Sequence, residues 1–254
     1  MPSIKRRIRE TGDLLGGYLC LIPSAVVTQA LAAAGADWLV IDQEHAPAGP
    51  ESLHAMVAAT AGTRCSPWVR VAKRDEALVK LALDVGAEGI VFPLVRTAEE
   101  AADCVALTRY PPRGRRGWGP FVAHSRWGVE LQDYLPRHGD EIVCGLLIET
   151  KAAVDNIEEI CKVEGIDCMV IATFDLSTEL GVPGKFDAPI LLDAVRRVEK
   201  AALGAGIALG ALAMTREQAV GNIGRGHRLL AYGFDVLMLK QQVRQSMAWA
   251  SGAR

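Results

Sequence analysis

Along the chain, short apolar runs alternate with longer stretches in which apolar positions recur every three to four residues. The short runs lie at 17–22, 38–42, 68–71, 89–93, 142–149, 168–172, 207–212 and 236–239. They are rich in Val, Ile, Leu and Trp and predict eight strands. The longer stretches, at 25–34, 76–85, 97–108, 152–161, 188–205 and 216–225, are rich in Ala and Leu and predict amphipathic helices. One more short helix is expected at 241–251. Strands alternating with helices imply right-handed βαβ units and a parallel sheet. Eight such units in 254 residues match a (β/α)8 TIM barrel, read as one domain over 1–254. An open doubly wound sheet is the alternative, but it calls for a glycine-rich loop after the first strand. Leu21-Ile22-Pro23-Ser24 is not one.

In a barrel, chemistry gathers where the strands end at their C-terminal face. The ends carry unusual charge. The segment IDQEHAP after the second strand holds Asp42, Glu44 and His45. The third strand ends at Arg70, the fifth at Glu149, and the sixth leads to Asp175. Leu212 and Lys240 end the seventh and eighth. Glu149 and Asp175 lie on successive strands, and two oxygen ligands with room for water and substrate suit a hard ion such as Mg²⁺ or Mn²⁺. Asp175 reads equally well as the N-cap of the helix that follows it. Asp42 is near enough in sequence to accept a ring N–H from His45 and fix its tautomer. An arginine inside a strand needs a partner, either a substrate oxygen or a structural carboxylate for Arg70.

Charge and composition remove other classes. A formal net charge of -2 gives no general pull toward nucleic acid or an anionic membrane. The basic N-terminus has no apolar segment behind it, and no apolar run approaches the roughly 20 residues needed to span a bilayer. Six scattered cysteines without a CxxC pair read as buried reduced thiols. The chain is expected to be soluble and cytoplasmic. The segment 110–128, with three prolines, four glycines and four arginines, reads as a long irregular loop. Its Arg115, Arg116 and Arg126 are candidates for a distal substrate carboxylate, and His124 could reach a site. His54, His138 and His227 read as solvated.

The motifs together resemble the HpcH/HpaI family of metal-dependent pyruvate aldolases. The carrying segments are GADWLVIDQEHAP, VRV, ALDVGAEGIVFPLVRTAEEA, RYPPRGRRG, SRWG, IETKAAVDNIEEICKVEGID and DLSTELG. The resemblance implies a barrel assembled as a hexamer, a trimer of dimers, with the last helix exchanged between subunits. It implies a divalent metal, Mg²⁺ or Mn²⁺ with Co²⁺ a further candidate, held by Glu149 and Asp175. Arg70 would bind a 2-oxo acid and stabilise its enolate. His45, supported by Asp42, would transfer protons through a metal-bound water, and Asp84 would reach the histidine of a neighbouring subunit. The substrate partners implied are pyruvate or a related 2-oxo acid and an aldehyde.

The chain departs from the family pattern in three places. Phe174 replaces a small residue whose backbone N–H meets the keto acid. Leu147 replaces a substrate-contacting glutamine, and Ala123 stands where arginine is usual. Both changes near the donor leave pyruvate and hydroxypyruvate open. Leu212 would line the aldehyde pocket. Three rivals remain: a Schiff-base aldolase using Lys240 or Lys73, an oxaloacetate decarboxylase or malyl- or citramalyl-type lyase with the same site, and a catalytically inactive barrel.

Overall fold

The computed structural model describes residues 3–251. Its elements run α1 (Ile4–Arg6), β1 (Leu15–Cys20), α2 (Ala25–Ala33), β2 (Trp38–Asp42), α3 (Pro50–Ala58), β3 (Ser66–Arg70), α4 (Glu76–Asp84) and β4 (Gly89–Phe92). Next come α5 (Ala98–Thr108), α6 (Ala123–Arg126), α7 (Leu131–His138), β5 (Val143–Ile148), α8 (Lys151–Asp155), α9 (Ile157–Ile160) and β6 (Cys168–Ile171). The chain ends with α10 (Thr173–Glu179), α11 (Pro189–Gly204), β7 (Ala208–Leu212), α12 (Arg216–Gly224), β8 (His227–Phe234) and α13 (Asp235–Ser251). The strands are all parallel and close in sequence order, with β8 returning to β1. This is the expected (β/α)8 barrel. Side-chain caps start the helices that follow several strands: Ser24, Asp75, Thr97, Thr150 and Thr215 each accept an N–H from the first turn. No helix is long and apolar enough to cross a membrane among the described residues.

Strand alternation divides the apolar residues between two cores. Leu39, Ile41, Val69, Ile90, Leu146 and Met169 face the helices, whereas Leu15, Val40, Val91, Leu147, Cys168 and Leu229 fill the barrel lumen. Trp38 and Trp68 stack there with centroids 5.1 Å apart. Glycine makes this pair possible. A Cβ on Gly17 would lie 2.2 Å from the Trp38 ring, and one on Gly89 would lie 2.8 Å from Trp68. Ile4 and the following Ile8 close the lumen at its N-terminal end. Counting on in steps of two, the lumen-facing positions Val40, Trp68 and Leu147 lead to Asp42, Arg70 and Glu149. The strand pleat therefore directs these three side chains to the barrel mouth.

Four expectations change. The eighth strand is His227–Phe234, and the run at 236–239 begins α13, so Lys240 does not end a strand. So short an apolar run does not separate strand from helix by period. The carboxylate of Asp235 decides the matter, accepting the N–H of Val236 at 2.8 Å and those of Leu21 and Ile22 at 3.0 and 2.9 Å. The helix expected at 152–161 divides at Asn156, whose side chain donates to the Arg96 carbonyl. Asp175 does not cap a helix; it is the third residue of α10. Finally, the long segment at 110–128 joins α5 to β5, which puts it at the N-terminal face, away from the strand ends that carry the site.

Candidate active site at the barrel mouth

Asp42 is fully buried at the end of β2. One oxygen accepts from Arg70 Nε at 2.9 Å and the other from Arg70 Nη2 at 2.5 Å. Asp42 Oδ1 also accepts the backbone N–H groups of Glu44, at 2.9 Å, and His45, at 3.4 Å. The expected bond to the His45 ring is replaced by these contacts, because the bidentate guanidinium and the turn use the available lone pairs. Burial opposes ionisation of Asp42, but the hydrogen bonds and charge of Arg70 outweigh it and hold the carboxyl below the ordinary range. The structural partner of Arg70 is thus Asp42, which leaves Nη1 directed at Glu44 Oε2, 3.3 Å away.

Glu44 joins this cluster. Its Oε2 is buried, makes no hydrogen bond and lies 3.6 Å from His45 Nε2. The His45 ring is otherwise exposed. Glu149, 4% exposed, follows β5, and its Oε1 accepts the Leu94 N–H at 2.5 Å. Leu94 sits at φ 56, a left-handed conformation rare for leucine. Nothing in the sequence marks Leu94 for this role, since glycine or asparagine is the usual choice there. Burial pushes the Glu149 carboxyl up, the Leu94 amide opposes this, and the charges of Glu44 and Asp175 add to it. Burial likewise raises Glu44, against the pull of Arg70 and His45 and with the push of Asp42 and Asp175. Three carboxylates therefore act on one another across the mouth. Glu44 was legible as strand-end charge, but its place beside Arg70 was not.

Asp175 is exposed on α10. The N–H of Phe174 lies in the first helical turn, where it lacks an intrahelical acceptor. The Phe174 ring turns to Phe186, edge to face at 4.9 Å. Leu147 and Leu212 both border the lumen. Among the described residues, no three His, Cys, Asp or Glu side chains are gathered closely enough to hold a metal ion by themselves.

Several candidates lie elsewhere. Asp84, at the end of α4, is on the opposite side of the barrel from His45 and pairs with Arg116 Nη2 at 3.3 Å. Burial raises its carboxyl, opposed by Arg116. The long-segment arginines are engaged in structure. Arg116 is buried over the Tyr110 ring, Arg115 pairs with Asp103, and Arg126 donates to the Val57 carbonyl and packs on Trp127. None of these three is placed to read a substrate carboxylate at this chain's own mouth. His124 bonds the Val129 carbonyl in the same segment. His138 is half-buried, stacked on Trp127 and tilted against Tyr134, whereas His227 is 2% exposed against Glu199 and so is not solvated. The six cysteines are free, and all but Cys161 are buried.

The family model for HpcH/HpaI aldolase/citrate lyase matches residues 19–241, a span that runs from β1 into α13 and includes every strand-end group described above. The chain belongs to this family. HpcH/HpaI relatives include a hydroxypyruvate/pyruvate aldolase of Roseovarius nubinhibens, 37% identical over 94% of this chain and 93% of that protein. A 2-keto-3-deoxy-L-rhamnonate aldolase of Escherichia coli is 35% identical over 96% of this chain and 91% of its own length. A solved HpcH/HpaI structure from Burkholderia cenocepacia J2315 superposes with a TM-score of 0.91, at 33% identity over 98% of both chains. Membership makes this chain a carbon–carbon lyase of the aldolase type.

Proposed function

We propose that the chain is a divalent-metal-dependent aldolase that reversibly cleaves a 4-hydroxy-2-oxo acid into pyruvate or hydroxypyruvate and an aldehyde. The observation that carries this reading is the set of carboxylates, Glu44 after β2, Glu149 after β5 and Asp175 after β6, that the strand ends bring to the barrel mouth beside Arg70. Such a cluster favours a cation, and its oxygen donors suit Mg²⁺ or Mn²⁺. Glu44 Oε2 faces Arg70 Nη1 at 3.3 Å and His45 Nε2 at 3.6 Å, which leaves Glu149 and Asp175 as the oxygen donors. Glu149 and Asp175 would hold the ion, which when bound supplies Lewis acidity to the keto oxygen of the donor.

The chain's own residues account for the rest. Arg70 adds fixed positive charge beside that oxygen, and Asp42 holds the guanidinium in position. His45, exposed above Glu44, accepts the C4 hydroxyl proton at a ring nitrogen. As the C3–C4 bond breaks, its electron pair passes to the donor, and return of a proton to C3 releases the 2-oxo acid. The Phe174 N–H and Leu147 border the donor, and Leu212 borders the aldehyde. The names of the two relatives support this substrate class.

Asp84 cannot serve its own His45 from the far side of the barrel, so its role requires a second copy of the chain. The assembly we propose is a hexamer built from dimers, with α13 exchanged between subunits. Val236, Leu239 and Val243 expose an apolar stripe on this helix, and the Tyr232 ring is 36% exposed on β8 against Tyr18. Free cysteines suit a reducing cytoplasm.

The test is proton NMR of pyruvate and hydroxypyruvate in D₂O, with Mg²⁺ or Mn²⁺ and again with EDTA. Metal-dependent exchange at C3, lost in Glu149→Gln, is expected. Absence of exchange for both acids with both metals refutes the reading.

A further inference from the structure

Arg116 differs from the other arginines of the long segment. Its side chain is 1% exposed, yet Nε and Nη1 are buried without a hydrogen-bond partner among the described residues. Its side chain makes one hydrogen bond, from Nη2 to Asp84 Oδ1 at 3.3 Å, and Asp84 is its one ion-pair partner among the described residues. Rings hold the rest of the guanidinium, which lies 4.5 Å from the centroid of Tyr110 and 5.9 Å from that of Tyr134. A buried charge this thinly bonded costs stability, and an apolar side chain of similar size would pack there at less cost. Stability alone therefore does not account for Arg116, and attention turns to what it does to Asp84.

Asp84 ends α4 with one oxygen on Arg116 and the other free. Oδ2 accepts no hydrogen bond among the described residues, and the side chain is 20% exposed. Gly119 passes beside that oxygen: a Cβ there would lie 2.7 Å from Asp84 Oδ2. A larger residue at 119 would push the carboxylate aside or cover it. Two cations face Asp84, Arg116 from the long segment and Lys80 one turn back on α4, and the Tyr110 phenol acts on the carboxylate as well. Glu76, two turns back, is drawn to Arg115 instead. Lys80 is exposed, so solvent screens it, and Arg116 is the buried cation of the pair. We propose that Arg116 is the positioning residue for Asp84: it fixes Oδ1, and Gly119 leaves Oδ2 turned outward as the acceptor for the His45 of a second copy. This rests on the role given to Asp84 above. A carboxylate fixed at one oxygen accepts a ring N–H at the other, which sets the imidazole tautomer so that its second nitrogen takes the C4 hydroxyl proton.

The test is cleavage of 4-hydroxy-2-oxopentanoate by the full chain with Mg²⁺, read as pyruvate released, from about pH 5.5 to 9. Arg116→Gln should lower kcat about tenfold or more, leave KM within about twofold and move the acid limb of the kcat profile to higher pH. The limb rises because burial already pushes the Asp84 carboxyl up and Arg116 is the main group opposing it. Arg116→Lys restores the charge without the planar fork, so the limb should return to its wild-type position and kcat should recover in part. Gly119→Ala should lower kcat about tenfold with circular dichroism unchanged. Arg115→Gln, whose arginine pairs with Asp103, should leave kcat and its profile as in the wild type. Pyruvate C3 exchange in the wild type, run alongside, tests the reading of the barrel mouth by itself. With that exchange present and kcat lowered in Asp84→Asn, full kcat in Arg116→Gln overturns the inference alone. A fall in kcat with no movement of the limb and no recovery in Arg116→Lys also overturns it, being the mark of a purely structural role. Unchanged kcat in Asp84→Asn removes the role of Asp84 and the inference with it. Should Arg116→Gln fail to fold, Gly119→Ala decides, and unchanged kcat there overturns the proposal.

Discussion

Replacing Asp42 with asparagine removes one buried charge and almost nothing of its volume. In the wild type this carboxylate takes two hydrogen bonds from Arg70 and two from the backbone of the turn at Glu44 and His45. Asparagine presents one carbonyl oxygen and an amide that can only donate, so part of the Arg70 fork loses its acceptor. Breaking a buried ion pair from one side typically costs about 3–5 kcal/mol. For a chain of this size that corresponds to a fall in Tm of roughly 6–20 °C. Urea unfolding of Asp42→Asn and wild type at pH 7.5 measures the difference. Its pH dependence is a second check. The folded pKa of Asp42 lies below its unfolded value, so the carboxylate stabilises fully above about pH 4–5 and loses that contribution as pH falls through the folded pKa. The gap between wild type and variant should be flat from pH 8 to about 5 and close below it. Adding Arg70→Met to Asp42→Asn should recover part of the loss, because no unpaired guanidinium remains. A cost under about 1 kcal/mol at pH 7.5, or a gap that persists undiminished at pH 3, refutes the reasoning.

Glu44→Gln should raise Tm in EDTA, since it removes a half-buried carboxylate whose desolvation, with the charges of Asp42 and Asp175, outweighs the pull of Arg70 and His45. The same change should weaken Mn²⁺ binding about tenfold by titration calorimetry, and a lower Tm in EDTA would count against the cluster. Gly17→Ala places a methyl group 2.2 Å from the Trp38 ring and should cost about 1–3 kcal/mol or more, read by chemical denaturation. Gly17→Ala combined with Trp38→Leu should be better tolerated than Gly17→Ala alone; equal losses would mean that the ring is not what the glycine accommodates. Val243→Asp, on the exposed stripe of α13, should leave helical content unchanged and lower the sedimenting mass. An unchanged mass would rule out this face as a subunit contact.

The alternation of apolar runs determined the class of fold and seven of the eight strands, because a buried parallel strand must be almost continuously apolar and its neighbours in a barrel are its neighbours in sequence. The same pattern brought Asp42, Arg70 and Glu149 to one face, since a strand repeats its facing every second residue. The eighth strand escaped because His227 and Arg228 open it, while the apolar run beyond Asp235 turns helical once that carboxylate ties it to the exit of β1. Motif content identified the family, and the matched relatives agree with it. Partner choice was beyond reach. Whether Asp42 meets His45 or Arg70, and whether Leu94 turns its amide to Glu149, depends on residues brought together from different strands and loops. The same holds for the arginines of the long segment, whose charge suggested substrate but whose position between α5 and β5 gives them internal partners. Local sequence sets strand facing and helix starts within a few residues. The fate of a charged side chain is decided by burial and by the one counter-group the fold leaves within about 3 Å of it, and only the closed barrel determines which group that is.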